Sequence, residues 1–572
     1  MNLKEFNNLT DLFFYQSEKQ NHKDIFLQWL NKANRKKFTW SETEDSIYKF
    51  SKVLKEYVKE GDRVLLVSEN RPEWFISDLS VMLSNAITVP AYTTYTENDF
   101  KYIIDDCEPT VVIISNNFLY KKLEKTISEK KYIKAIFTFD NVARKDNEKK
   151  HFQFDTLLKT NLLEKDKIKK TSQKRNSPAC IIYTSGTGGN PKGVILSHGG
   201  ILNNLEGANE ILKPLIDKKP IFLTWLPLSH SYEHTVQFVQ ISVGAKIFYA
   251  DKIEKLLDNI SESQPTIMTA VPRFYQNLYN KINISIKKTN KLKRYLFKMT
   301  IKLGKKNLLK KNMNFLEKLI DSLLNFLVRK KIKKQFGGKL KAFVSGGGAL
   351  DREIGEFLNA LGLPTLQGYG LTETSPVVSC NPINKIKVET VGPPFKGNLV
   401  KIAKDGEILV KGENVMLGYW NRKEDTEKAI KDGWLYTGDI GEINPQDGYL
   451  KITDRKKDII VNAGGDNISP AKLENLLSNS EAIDQSIVYG DGKSYLIALI
   501  VTKKEFIGNR DKISEIINKI NQNLTMVEKI KKFYLIDESF SIENSLLTPT
   551  MKVKRNKVIT KYKNIIEKLY QK

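Results

Sequence analysis

The chain has 572 residues, 40% apolar and 28% charged, with a formal net charge of +26. That length exceeds one compact core and implies two or more domains. Three scattered cysteines, Cys107, Cys180 and Cys380, exclude a disulfide framework or a zinc ligand spacing and fit a reducing cytoplasm. The first residues hold no apolar signal core, and no run approaches the roughly 20 apolar residues of a membrane span. The charge suggests nucleic acid or an anionic surface as partner, but it is concentrated. Residues 281–334 hold 18 Lys and Arg against only Glu317 and Asp321.

In chain order, 64–67 reads as a buried strand, 73–86 as a helix, and 87–90 and 111–114 as further strands. Strands alternating with helices imply βαβ units and a mostly parallel sheet. The rhythm returns at 181–195, 246–249 and 340–344. From Lys401 the pattern changes to closely spaced strands turning at Asp405-Gly406, Asp432-Gly433 and Asp447-Gly448. The C-terminal part reads as a separate small α+β unit, with strands at 486–489 and 496–501 and a helix over 505–520.

Several motifs interrupt these elements. Tyr183-Thr184-Ser185-Gly186-Thr187-Gly188-Gly189-Asn190-Pro191-Lys192-Gly193-Val194 follows the apolar run 179–182. Its hydroxyls, exposed N–H groups and Lys192 suit a polyphosphate, although the Gly-Lys-Ser/Thr ending of a Walker loop is missing. Leu226 to His234 holds two of only five histidines, His230 and His234. Glycines at 346, 347 and 348 let backbone lie against a flat ligand. In Gln367-Gly368-Tyr369-Gly370-Leu371-Thr372-Glu373, the aromatic can stack on a base, Thr372 can bond a phosphate oxygen, and Glu373 is the hard oxygen donor that Mg²⁺ prefers. Asp439, after a Thr-Gly turn, can accept two hydrogen bonds from a vicinal diol. Asp454 to Asp458 would alone be a solvated charged turn.

Taken in order, these runs resemble the motifs of the AMP-forming acyl- and aryl-CoA synthetases of the adenylate-forming superfamily. Thr548-Pro549-Thr550-Met551-Lys552 resembles the ending of long-chain fatty acid members. The resemblance implies an α/β fold. Its large N-terminal domain (1–456) has parallel and mixed sheets with helices, a small β-barrel-like part and the basic helical insertion 281–334. A small, mobile α+β lid (457–572) follows.

It further implies that a long-chain fatty acid and ATP give an acyl-adenylate and pyrophosphate, and that CoA then takes the acyl group and AMP leaves. Thr184, Ser185, Gly186, Thr187, Gly189, Lys192 and Thr372 are then expected on phosphates. Gly346, Gly347, Gly348, Gln367, Gly368, Tyr369 and Gly370 are expected around adenine, and Asp439 and Arg455 on ribose. Thr184 and Glu373 are expected on Mg²⁺, Gly464 and Gly465 along the CoA tunnel, and Lys457 at the hinge. Lys552, with His230 near the acyl carboxylate and Glu373, is expected to carry catalysis. Gly188 departs from the family's usual Thr.

An acyl carrier protein as acceptor, or a non-catalytic lipid- or nucleotide-binding relative, are the alternatives. A cytoplasmic protein is expected, peripheral at the inner membrane face through 281–334, where Phe315, Leu316, Leu319, Leu323, Phe326 and Leu327 recur at helical spacing. No nucleic-acid partner is expected.

Overall fold

Continuous apolar runs such as Val111-Val112-Ile113-Ile114 suit strands buried on both faces of a parallel sheet, and two such sheets build the body of the protein. A computed structural model describes residues 2–144, 149–184, 191–216, 219–548 and 551–571. The first sheet runs Ser379–Cys380, Thr365–Tyr369, Ala342–Ser345, Ile267–Ala270, Ile221–Thr224, Lys246–Tyr249, Ile25–Trp29, Lys37–Thr39, with a parallel centre. The second runs Gly418–Tyr419, Lys192–Ser197, Pro178–Thr184, Ile87–Ala91, Arg63–Val67, Val111–Ile114, Ala135–Thr138, Lys150–Gln153. It is parallel except at its first three strands, where Lys192–Ser197 pairs antiparallel on both sides.

One apolar cluster joins the sheets' inner faces, with Val64, Leu66 and Val111 on one side and Phe26, Ile247 and Ile267 on the other. Helix Pro72–Leu83 between them is buried at every residue, with Pro72 in the first turn where no N–H is needed. Helix Ser231–Ser242 is buried at all but Val236. Helices Glu97–Cys107 and Asn117–Glu129 cover the outer face of the second sheet, and Leu256–Ser263, Pro272–Lys287 and Arg352–Ala360 that of the first.

Beyond Ile402 the chain forms a five-stranded antiparallel sheet, begun by Leu399–Ile402. Its Asp432-Gly433 turn has positive φ at both residues (53° and 76°), the backbone of a tight two-residue hairpin. The C-terminal part has a three-stranded sheet, Ile483–Tyr489, Leu496–Thr502, Ile530–Ile536, with its own apolar clusters. The helix expected from Glu505 starts at Arg510 instead, because Gly508 at φ 75° breaks the chain after a single 3₁₀ turn. The basic segment folds as helices Lys291–Leu308 and Phe315–Leu324, a π-helical turn Asn325–Arg329, and Lys330–Lys334. Among the described residues no helix is long and apolar enough to cross a membrane.

Arg71 rivets the two sheets. It is 0% exposed, donates to both oxygens of buried Glu73 (3.0 and 2.8 Å) and to Asp140 (3.2 and 3.1 Å), and lies 4.5 Å from the Trp29 ring centroid. Trp29 belongs to the first sheet, and Asp140 follows a strand of the second. Burial would raise the Glu73 carboxyl pKa, but Arg71 and Lys36 hold it below the usual value. Removing one partner strands the other in a dry interior. Arg71→Met should therefore destabilise the protein by about 3–5 kcal/mol, whereas Arg71→Met/Glu73→Met should cost less than the single change. Urea unfolding followed by tryptophan fluorescence measures both.

Candidate active site

Parallel strands present ligand sites at their carboxyl ends, and the expected motifs gather there. Strands Pro178–Thr184 and Lys192–Ser197 form a hairpin that pairs Thr184 with Lys192. The expected phosphate loop is therefore the connection of that hairpin. Ser185, Gly186, Thr187, Gly188 and Gly189 lie outside the described residues. The Thr184 hydroxyl donates to the Lys192 carbonyl (3.5 Å). The Lys192 ammonium pairs with Asp425 (2.9 Å) and sits 4.9 Å from the Tyr419 ring centroid. The Tyr419 hydroxyl donates to Glu373 (2.9 Å). Thr184, Lys192 and Glu373 thus share one side of the site.

His230 caps helix Ser231–Ser242, its Nδ1 accepting the Tyr232 N–H (3.1 Å). That bond leaves the ring proton on Nε2. Burial, then the positive Lys552, push the imidazole pKa down to about 3, so His230 is a neutral donor at physiological pH. Next to it the Ser231 and Thr372 hydroxyls share a hydrogen bond (3.0 Å). The Tyr232 ring packs so close to Gly346 that a Cβ there would stand 2.8 Å from it. Gly347 takes φ 80°, which suits glycine. Three separate runs of sequence therefore meet at one helix start.

The Gln367 side chain is engaged within the protein. Its carbonyl oxygen accepts the Leu350 N–H (2.9 Å) and its amide donates to the Thr390 carbonyl (3.3 Å). It holds the end of the 346–350 loop. Gly370 is a packing requirement, since a Cβ would come within 1.9 Å of the Pro376 carbonyl oxygen; at Gly368 the approach to Ser379 is 3.2 Å.

Opposite His230, Asp439 accepts from the Tyr369 hydroxyl (2.8 Å) and pairs with Arg455 (3.2 Å), its cross-strand neighbour. Burial lifts the Asp439 carboxyl above its usual pKa, with Arg455, Tyr369 and Lys552 opposing. Lys456 grips Asp405 and Glu407 (2.6 and 2.8 Å), while Glu407 accepts the Gly438 N–H (2.8 Å). This pair holds the turn that presents Asp439. Lys552 comes from a short C-terminal loop closed by mutual bonds between Thr548 and Lys552. It keeps solvent-exposed surface. Even so, lost hydration and the nearby Arg455 lower its pKa to about 8 against the pull of Asp439. Lys552 is thus within electrostatic range of Asp439, Arg455 and His230.

Lys457, Gly464 and Gly465 stand apart from this cluster. The N–H groups of the two glycines bond to Asn462 within a small exposed hairpin. Tyr419 and Asp425 were missed in the sequence, where Gly418-Tyr419-Trp420 was the available signal. Asp78 was missed as well. It accepts from His234 Nε2 (2.8 Å), with both groups buried. Burial opposes the His234 charge, yet Asp78 holds the imidazolium pKa up to about 10.

Comparison with known proteins gives the same outline. Residues 13–420 match the family model described as AMP-binding enzyme, and 457–572 that of the AMP-binding enzyme C-terminal domain. The long-chain-fatty-acid–CoA ligase FadD15 of Mycobacterium bovis is 31% identical, over 90% of this chain and 89% of that protein. Long-chain-fatty-acid–CoA ligase 5 of Rattus norvegicus is 31% identical, over 88% of this chain and 80% of its own. The fold superposes on the crystal structure of the anthranilate CoA ligase AuaEII in complex with anthranoyl-AMP with a TM-score of 0.79, at 19% identity, covering 99% and 100% of the two chains.

A charge-assisted hydrogen bond contributes about 1.5–3 kcal/mol. Asp439→Asn should therefore weaken AMP binding about tenfold or more, read by isothermal titration calorimetry, while the unfolding midpoint stays near wild type.

Proposed function

The chain belongs to the AMP-binding enzymes, and on that premise we propose that it is a long-chain fatty acid–CoA ligase. One observation carries the reading of the site: a lysine from the C-terminal part lies within range of the Asp439–Arg455 pair and of neutral His230. Its long-chain-fatty-acid–CoA ligase relatives support the substrate class.

In the first half-reaction the fatty carboxylate attacks the α-phosphorus of ATP. A new C–O–P bond forms, the α–β bridge breaks, and pyrophosphate takes the electron pair. Asp439 and Arg455 hold the ribose, with Tyr369 fixing the Asp439 carboxylate. His230 donates Nε2–H toward the acyl carboxylate. Lys552, a compact charge, faces the negative charge shared by carboxylate and phosphate. The residues present fit Mg²⁺: Glu373 is a hard oxygen donor held by Tyr419 on the same side of the site as Thr184, and the ion would keep water and phosphate ligands. Bound there, Mg²⁺ would supply neutralisation of phosphate charge. In the second half-reaction the CoA thiol attacks the acyl carbon and AMP leaves.

The lysine is not needed for that second step. We place the domain boundary at 456/457, with Lys457 as hinge. Rotation there would break the ion pairs Arg273–Asp484 and Lys287–Glu481 (3.7 Å each) between helix Pro272–Lys287 and the lid. It would carry Lys552 away and bring Gly464 and Gly465 toward the thiol. The basic segment 281–334 provides peripheral contact with anionic lipid, where fatty acid resides.

A preorganised charge contact is worth about 3–4 kcal/mol in a transition state. Lys552→Ala should thus slow pyrophosphate release by about two to three orders of magnitude, yet leave thioester formation from supplied acyl-adenylate nearly unchanged. Equal loss in both assays overturns the assignment. Adenylation needs the ammonium form, present below its pKa. kcat/KM for ATP should therefore fall as pH rises through about 8, and Lys552→Arg should remove that limb.

A further inference from the structure

Helix Phe315–Leu324 is amphipathic in the wrong sense for a helix packed on a soluble protein. Such a helix turns its apolar stripe to the core and its charges to water. Here Phe315 is 80% exposed, Leu316 65%, Leu319 60%, Leu323 57%, and Phe326 in the following turn 63%. These residues recur every three or four positions and share one face. The acids point the other way. Glu317 pairs with Lys306, and Asp321 with nearly buried Arg329 (2.7 Å), whose Nε also donates to the Ala360 carbonyl (2.8 Å). The helix is therefore pinned to the body through its charged side. Within the helix Leu324 alone is buried, so the apolar stripe is left outside.

Exposed lysines bracket the stripe: Lys310 and Lys311 before it, and Lys330, Lys331 and Lys334 after it. Among the described residues, none of the five forms an ion pair. Lys330 lies 5.1 Å from the Phe326 ring centroid, at the edge of the apolar face. Both available acids of the segment are already neutralised inward.

We propose that this face inserts into the headgroup–acyl boundary of an anionic bilayer, lying in its plane with Phe315, Leu316, Leu319, Leu323 and Phe326 among the acyl chains and the lysines on lipid phosphates. The inference builds on the lipid contact proposed for 281–334. It names the surface and makes apolar insertion, not charge alone, the source of binding. Charge complementarity selects the bilayer over a second copy, because two copies meeting at this face would oppose their lysine rims. An interfacial helix with an apolar face and a lysine border matches a surface of anionic headgroups over hydrocarbon.

Flotation of the full chain with vesicles of phosphatidylcholine alone, or of equal parts phosphatidylcholine and phosphatidylglycerol, tests this. Wild type should float with the anionic vesicles, less so as salt is raised. Phe315→Ser/Leu319→Ser/Leu323→Ser keeps every lysine and should lose about tenfold or more in partitioning. Lys310→Glu/Lys311→Glu/Lys330→Glu/Lys331→Glu should lose binding while keeping the apolar face. A bimane probe on Leu319→Cys should shift to the blue on vesicle addition and be quenched by brominated acyl chains. Full binding by the serine variant reduces the contact to adsorption by charge and overturns insertion. Absence of wild-type binding to either vesicle overturns it too, as does self-association of wild type without vesicles that the serine variant abolishes. Acyl-CoA formation from soluble laurate without vesicles should be equal in all variants. Its absence in wild type would count against the ligase reading and leave the docking result standing.

Discussion

The ion pair between His234 and Asp78 fixes where chemistry can take place. These groups sit on the two buried helices between the sheets, Ser231–Ser242 and Pro72–Leu83. A buried charge is tolerated only with a partner, so the pair sets the helices' mutual register. Asn70, just before the second helix, repeats the tie by donating to Leu226 and accepting from Leu228. The segment 226–234 is thus held at both ends. His230 emerges at its half-buried corner, with its Nδ1 spent on the helix cap. From that corner the rest follows: Tyr232 seats Gly346, and Ser231 seats Thr372.

The second sheet and the C-terminal part then close around this corner. The Thr184–Lys192 hairpin stands on one side, and the turn before Asp439, braced by Lys456 on Glu407, presents the Asp439–Arg455 pair on the other. Only the lysine arrives from a separate unit. On the proposed mechanism, a residue needed in one half-reaction is mounted on the separate unit, while those needed in both are mounted on the sheets. This division fits a site that must exchange one geometry for another without dismantling its nucleotide contacts.

What the sequence made legible was what depends on local pattern. Runs such as 111–114 and 246–249 became strands with those bounds, because continuous apolar residues suit a sheet covered on both sides. Asp-Gly pairs became turns because their backbone demands it. Several motif runs met in space because they begin at strand ends, at Thr184, Ser345 and Tyr369. What stayed hidden depends on partners distant in sequence. Nothing near Gln367 announces that Leu350 and Thr390 occupy its amide. Nothing near Asp78 announces His234, or near Lys192 its pair with Asp425. The helix at Phe315 shows the limit most clearly. Periodicity establishes that one face is apolar and says nothing of its direction. The direction is set by Arg329 and Lys306, which draw Asp321 and Glu317 inward.

Most charged groups of the site already have protein partners: Lys192 has Asp425, Glu373 has Tyr419, and Asp439 has Arg455 and Tyr369. A nucleotide entering here would exchange partners rather than meet bare charges. Exchange costs affinity but keeps each group aimed, which favours the transition state over tight ground-state binding. Lys552 differs. Among the described residues its ammonium forms no ion pair, because the nearby Asp439 is engaged with Arg455, and lost hydration, then the charge of Arg455, lower its pKa. A negative charge developing between carboxylate and phosphate would supply the missing partner and hold the ammonium form more firmly. The lysine's interaction is therefore stronger with the reacting complex than with the empty site, and that difference, rather than the strength of any contact, makes it suited to catalysis.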